Sequence, residues 1–203
     1  MRLRGKKFLP LTVTLLYGFL FVCVIYIYTL QREGWYEGMV EAGIAQYAGI
    51  QQEDVLIHKS MQDEGYLYTV WENTATEKLC MTILQKQQKF GHNFFRPWGG
   101  SIFDDSDPLF DIFLYQEGDG LNKQSLIVVA CDNRDNALGH CELVFTESGT
   151  NGYTQEWTAT IALTEPILLQ ARWFSGSVQC GGTIFDKEGY IAGHSRYHED
   201  LSN

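Results

Sequence analysis

The chain has 203 residues, of which 45% are hydrophobic and 14% aromatic. That composition supplies enough apolar side chains for a sizeable core, and it excludes an intrinsically disordered protein. Beyond Leu30 the chain carries 25 acidic and 11 basic residues, a net charge of −14. This balance excludes a nucleic-acid partner, because phosphate binding depends on clustered Lys and Arg.

The first predicted element is the apolar segment Phe8–Leu30, which contains no charged side chain. As a helix it would be about 34 Å long, and the hydrocarbon core of a bilayer is about 30 Å thick. Four basic residues precede it, whereas Arg32 is the only basic residue close behind it. This excess of basic residues predicts a single-pass anchor in the cell membrane, with tail 1–7 in the cytoplasm and the C-terminal part outside. The four residues are Arg2, Arg4, Lys6 and Lys7.

A cleaved secretory signal is the alternative interpretation of this segment. Such signals have an apolar region of about 7–15 residues followed by small residues at the cleavage site. The run in this chain is longer, and the residues at its exit, 28–31, read Tyr-Thr-Leu-Gln. We therefore expect an uncleaved anchor, with the lipid bilayer as the partner of Phe8–Leu30.

A short amphipathic helix is predicted next, over residues 36–49, because apolar residues recur there at spacings of three and four. Beyond Gln52 the period changes to two, and β-branched and aromatic residues become frequent, which predicts strands. In the third of these strands Leu79, Met81 and Ile83 would share one face. The expected antiparallel meander has strands at 54–60, 65–72, 76–87, 90–95 and 110–115.

The loop-like residues 117–123 predict a boundary between two domains, 31–116 and 117–203. Short strands at regular spacing follow this boundary and predict a small β-sandwich. In one of them Leu169, Ala171 and Trp173 would face inward. The chain would end in a disordered tail. The strands are expected at 124–131, 138–146, 153–161, 167–174, 178–185 and 190–192.

Four cysteines lie beyond the anchor: Cys80, Cys131, Cys141 and Cys180. Export would permit their oxidation. Cys131 and Cys141 lie ten residues apart at a predicted strand–turn–strand, which makes them the best candidate disulfide and leaves Cys80 to pair with Cys180. Buried free thiols are the alternative, since unpaired cysteines are commonly buried.

An acidic loop near residue 105 is the best candidate for metal binding. Its candidate ligands are Asp105, Asp107 and Asp111, whose oxygens are the donors that calcium prefers. However, Leu109 and Phe110 stand where a calcium loop needs an oxygen ligand and a glycine. We therefore expect a solvated loop, and no metal or other cofactor.

An exposed-looking cluster at Arg96 and Trp98 is the candidate recognition surface, because an indole face could bind a carbohydrate or a peptide. The alternative is that Trp98 caps the hydrophobic core. No nucleophile elbow, phosphate-binding glycine loop or other catalytic motif is present, so we expect no enzyme activity.

The order of elements resembles that of small membrane-anchored bacterial envelope proteins of no named family. An anchor and a short helix are followed by a meander that reaches Trp98-Gly99-Gly100, and a β domain then closes on a hairpin at residues 185–191. That hairpin, with its Asp and Gly between aromatic and aliphatic strands, is similar to the hairpins of extracytoplasmic Ig-like modules. The resemblance implies a β-dominated α+β protein with an Ig-like closing domain.

These observations predict a membrane-anchored binding or interaction module of the cell envelope, whose partner is a protein or a cell-wall component outside the cytoplasm. One alternative is an accessory subunit of a membrane complex. Another is a hydrolase or transferase that uses the acidic loop Asp104–Asp111.

Overall fold

The computed structural model describes residues 8–32, 36–37, 40–63, 65–89, 91–102, 110–118, 123–148, 153–195 and 197–199. Helix α1 spans Phe8–Arg32. Its window Thr12–Thr29 has a mean hydropathy of 1.9 and no buried residue, so α1 is long and apolar enough to span a membrane. A secretory signal meets the same criteria of length and composition.

A five-stranded antiparallel sheet, sheet A, forms from the first half of the chain, with strand order β1-β5-β4-β3-β2. Helix α2 is shorter than the predicted 36–49, because residues 36 and 37 instead pair with β5. Strand pairing with β5 thus prevails over the helical periodicity at residues 36 and 37. The elements are β1 (Tyr36–Glu37), α2 (Val40–Ala48), a 3₁₀ turn (Gln52–Asp54), β2 (Val55–Asp63), β3 (Tyr66–Asn73), β4 (Lys78–Lys89) and β5 (His92–Ile102).

Two four-stranded sheets follow: sheet B in the order β10-β7-β6-β13, and sheet C in the order β12-β11-β8-β9. All pairs in them are antiparallel except β13 with β6. Strands β12 and β13 lie near the C-terminal end of the chain, whereas residues 196 and 200–203 of the expected disordered tail lie outside the described residues. The elements are β6 (Phe110–Glu117), β7 (Gln124–Asp132), β8 (Leu138–Ser148), β9 (Thr154–Ala162), β10 (Ile167–Ser175), β11 (Ser177–Asp186), β12 (Ile191–Ser195) and β13 (Tyr197–Glu199).

These elements stack in four layers, α2, sheet A, sheet B and sheet C, with an apolar cluster between each pair of neighbours. Ile44 of α2 packs on Trp71 and Leu84 of sheet A. A second cluster, which includes Phe113, lies between sheets A and B. A third, which includes Ile112, lies between sheets B and C. Ile112 and Phe113, which are adjacent in β6, therefore pack into different apolar clusters.

Sheet B is covered on both faces, and its strand β7 is buried continuously from Ser125 to Cys131. Strands buried on both faces read as continuous apolar runs, whereas half-buried strands alternate. The alternation predicted for β4 is confirmed, since Leu79, Met81 and Ile83 all join the cluster between sheets A and B.

The predicted boundary at 117–123 falls between β6 and β7, which are antiparallel neighbours in sheet B. The two halves of the chain therefore meet within one sheet. Lys59 of β2 adds a tie between them: it makes an ion pair with Glu165, and its Nζ donates a hydrogen bond to the carbonyl oxygen of Ile167 at 2.9 Å. The division into two domains stays a prediction.

Candidate functional site

An open apolar groove lies at the side of the packed sheets B and C, where they end in β10 and β9. We call it the β9/β10 groove, and its volume is about 380 Å³. Most of the side chains that line it are aliphatic or aromatic, and Gln170 and Arg172 are the polar exceptions. A groove with an apolar lining and a few polar groups is the usual form of a ligand site.

Strand β9 supplies one wall of the groove through every second residue. Trp157, Ala159 and Ile161 pack against the apolar cluster between sheets B and C, whereas Thr158 and Thr160 are exposed on the outer face. This arrangement follows from the two-residue period of a strand. The wall is only half-buried, so a ligand can reach it from solvent.

Three aromatic rings form the base of this wall. The rings of Phe145 and Trp157 are stacked, with centroids 5.4 Å apart and planes 9° from parallel. The ring of Phe174 lies 5.5 Å from that of Phe145 and 6.2 Å from that of Trp157. Such contacts hold the rings in fixed positions and give the groove a defined shape.

Strand β10 supplies the polar wall through Gln170 and Arg172, both of which are exposed. The Cζ atom of Arg172 lies 5.0 Å from the ring centroid of Phe174, a cation–π geometry. Arg172 makes no ion pair with any residue that the structure describes, so its guanidinium is available to an acidic group at the groove.

Both strands that border the groove are edge strands. Strand β9 is last in sheet C and β10 is first in sheet B, so within the described part of the chain each has a strand neighbour on one side only. The outer backbone N–H and C=O groups of an edge strand can pair with an added strand. The groove therefore combines apolar contact, one cation and backbone hydrogen-bonding groups.

A second cavity, of about 410 Å³, lies between the end of α2 and the outer face of sheet A. Its lining includes Trp71, Cys80 and Thr82, but the Nε1 of Trp71 already donates a hydrogen bond to Oγ1 of Thr82 at 2.9 Å. Within the described residues the lining of this cavity includes no charged side chain, so it makes the weaker candidate.

A cluster of charged groups joins sheet A to the end of β7. Arg134 donates from Nη1 to Oε2 of Glu72 at 2.6 Å and from Nη2 to Oδ2 of Asp132 at 2.9 Å. His58, at a bulge in β2, places its Nε2 atom 2.9 Å from the same Glu72 oxygen. The hydrogen bonds from His58 and then from Arg134 hold the pKa of Glu72 below its ordinary value. These groups satisfy one another, and their role is to tie the layers together.

The predicted recognition residues Arg96 and Trp98 lie on β5. Arg96 is exposed, but Trp98 is half-buried between sheets A and B. Its ring centroid lies 4.0 Å from that of Tyr115 and 5.0 Å from that of Tyr66. The indole ring of Trp98 therefore packs against the rings of Tyr66 and Tyr115.

Of the predicted metal ligands, Asp105 and Asp107 lie outside the described residues. Asp111 is buried near the start of β6, with 5% exposure. Among the residues that the structure describes, no group of three or more His, Cys, Asp or Glu side chains is arranged to hold a metal ion.

The four predicted cysteines are buried free thiols. Cys131, Cys141 and Cys180 share the cluster between sheets B and C, whereas Cys80 lies between sheet A and α2. Cys80 and Cys180 are thus separated by the layers of sheets A and B, which pack about 10 Å apart, whereas a disulfide needs Cα atoms within about 7 Å. Burial raises the pKa of Cys141 to about 11 and that of Cys180 to about 12.

The residues of the β9/β10 groove carry no motif and were not predicted as a site. The alternation of Trp157, Ala159 and Ile161 was a usable signal for a half-buried wall, but nothing local showed that β10 would lie opposite. Comparison with models of known protein families, with curated proteins and with solved structures finds no match to this chain.

Proposed function

We propose that the chain is a single-pass membrane protein of the cell envelope whose β-rich domain lies outside the cytoplasm and binds a neighbouring protein. The ligand we propose is an extended, mainly apolar segment of that partner with an acidic side chain. The β9/β10 groove is the observation that carries this proposal. The proposed module binds without catalysing a reaction.

An extended peptide suits the groove better than a compact ligand does. The groove lies between two edge strands, so a peptide laid along either one would gain main-chain hydrogen bonds as well as side-chain contacts. Alternate side chains of such a peptide would meet Trp157, Ala159 and Ile161. An acidic side chain would meet Arg172, which makes no ion pair with any residue that the structure describes.

The location outside the cytoplasm is supported by α1 and by the charges around it. The apolar helix follows four basic residues, and the part of the chain beyond it carries a net charge of −14. The Ig-like character that we predicted for residues 117–203 belongs to this proposal too, and the face-to-face packing of sheets B and C supports it. A reporter fused after Asn203 should be active only outside the cytoplasm, and activity inside would contradict the orientation.

Binding can be tested by selecting displayed random peptides of about ten residues, the upper length of an ordinary strand, against the full chain in detergent. We expect the selected peptides to alternate apolar residues and to carry Asp or Glu. The variant Ala159→Arg, which fills the groove, should abolish their binding.

The matched control is Thr158→Arg, which adds the same side chain to the outer face of β9 and should leave peptide binding unchanged. A third variant, Arg172→Gln, should weaken acidic peptides more than neutral ones. Equal loss of binding in Ala159→Arg and Thr158→Arg, or selection of peptides without apolar alternation, would contradict the proposed site.

A further inference from the structure

A smaller cavity, of about 270 Å³, continues the β9/β10 groove at one end. Ile161 of β9 and Gln170 of β10 line both the groove and this cavity, so the two are adjoining parts of one site. Lys59 of β2 and Glu165 of the β9–β10 connection also line the smaller cavity, which we call the Lys59 pocket. Sheet A thus contributes a charged side chain to the end of a groove that lies between sheets B and C.

The β9–β10 connection, residues 163–166, closes the groove at this end. It crosses from the end of β9 in sheet C to the start of β10 in sheet B. Hydrogen bonds hold both of its ends. The N–H of Leu163 donates to the carbonyl oxygen of Gly139 at 2.9 Å, and the carbonyl oxygen of Pro166 accepts from the N–H of Asn133 at 2.7 Å. A peptide that lies between β9 and β10 therefore has to end at the connection.

The ammonium group of Lys59 lies at this closed end. It makes an ion pair with Glu165 and donates a hydrogen bond to the carbonyl oxygen of Ile167 at 2.9 Å. An ammonium group has three N–H donors, so one remains beyond these two contacts with described residues. The side chain of Glu165 is 64% exposed. Water can therefore solvate the Glu165 carboxylate when another carboxylate takes its place at Lys59.

The spacing of Lys59 and Arg172 sets the length of a ligand that reaches both cations. The Lys59 ammonium is bound at Ile167, and Arg172 lies five residues further along the same strand, β10. Each strand residue rises about 3.4 Å, so the two positions are about 17 Å apart. An extended peptide covers that distance with about five residues.

A carboxylate at the very end of a chain suits a closed pocket that contains a cation. An internal Asp or Glu has the same charge, but the residues that follow it would meet the connection. A C-terminal carboxylate has no chain behind it, and both of its oxygens can accept hydrogen bonds from an ammonium group.

We propose that the Lys59 pocket binds the C-terminal carboxylate of the partner, while Arg172 binds an acidic side chain about five residues before it. This inference rests on the proposed function, and it makes the ligand a C-terminal tail rather than an internal segment.

Binding of matched synthetic peptides to the full chain in detergent tests this inference, with fluorescence anisotropy as the measurement. The probe is a peptide of about ten residues of alternating valine and threonine, with one glutamate about five residues before its end. It is made both as the free acid and as the C-terminal amide. We expect the free acid to bind about fivefold more tightly than the amide, the upper range for a partly exposed ion pair.

Two variants of the pocket should change this preference in opposite directions. Lys59→Gln removes the cation, so the acid should bind only as tightly as the amide, and unchanged binding of the amide would show that the groove is folded. Glu165→Gln removes the competing carboxylate, so it should increase the preference for the acid. The matched control Lys187→Gln removes an exposed lysine from the turn between β11 and β12, and it should keep the fivefold preference.

The amide peptide separates failure of this inference from failure of the proposed function. Equal binding of both peptides to the native chain, with loss of both in Ala159→Arg, would overturn the carboxylate pocket and leave the peptide groove standing. Binding of neither peptide would overturn both proposals. Equal loss of acid and amide binding in Lys59→Gln and Glu165→Gln would mean that their ion pair only holds the connection in place, and it would overturn the role of Lys59.

Discussion

Asn133 is a buried polar side chain whose removal has a cost that can be worked out from its contacts. It is 2% exposed, and it joins the β7–β8 connection to the end of β9. Its Oδ1 accepts from the backbone N–H of Leu138 at 2.9 Å, and its Nδ2 donates to the carbonyl oxygen of Leu163 at 3.1 Å. The variant Asn133→Ala would leave both backbone groups without these partners in a dry environment.

Each buried group left unsatisfied costs about 1–3 kcal/mol. With two such groups, we therefore expect Asn133→Ala to lower the free energy of unfolding by about 2–6 kcal/mol, a large share of the 5–15 kcal/mol typical of a domain. Urea unfolding of the full chain in mild detergent, followed by tryptophan fluorescence, measures this loss.

The control is Gln155→Ala, which removes an exposed amide from β9 and should change stability by no more than about 0.5 kcal/mol. The near-isosteric variant Asn133→Asp keeps the acceptor for Leu138 but turns a carboxyl oxygen toward the carbonyl of Leu163. It should destabilise more at neutral than at acid pH, because that environment favours the protonated acid. A loss below about 1 kcal/mol for Asn133→Ala would refute the reasoning.

Three further predictions concern charge, close packing and the thiols. The pKa of Glu72 is lowered in the folded protein. The contribution of its carboxylate to the free energy of unfolding is therefore complete above the ordinary carboxyl pKa of about 4.3, and it is lost as the pH falls through the lowered pKa of the folded protein. Glu72→Gln should thus be less stable than the native chain at neutral pH, and the difference should vanish in acid; a constant difference in pH-dependent unfolding would contradict this. A Cβ atom at Gly182 would lie 2.5 Å from Cε1 of Phe110, so Gly182→Ala should cost about 1–3 kcal/mol by overpacking, whereas Gly181→Ala, which meets nothing within 4 Å, should not. The four buried cysteines should resist alkylation in the folded protein and should all react in denaturant without reductant. A disulfide would contradict this, and mass spectrometry would show it as two cysteines that stay unalkylated in denaturant.

Most of the strands were predictable from the sequence, because they have a clear local pattern; β1 and β13 were not. The run at β4 alternates, and Leu79, Met81 and Ile83 share one face as predicted. The stacking of sheets was not predictable, since it depends on pairings between distant strands. We expected Leu169, Ala171 and Trp173 of β10 to face inward; they do, but toward sheet A. The continuous apolar run of β7 was the available sign that its sheet is covered on both faces.

The candidate site was harder to foresee than the fold, because a groove between sheets has no sequence motif. Arg172 reads locally as an outward-facing charge, and only the position of β9 opposite it turns that charge toward an apolar wall. The close approach of Gly100 to the backbone of Met81 was equally hidden, because a Cβ at Gly100 would lie 2.5 Å from the Met81 carbonyl oxygen.

The pairing of β6 with β7 across the connection at 118–123 has a consequence for proteolysis. A single cut there would sever the chain, but it would leave both strands hydrogen-bonded to each other and covered by sheets A and C. We expect the two fragments to stay together and to behave as one particle until a denaturant separates them. Fragments produced separately should each expose an apolar face, and they should recover solubility only when mixed.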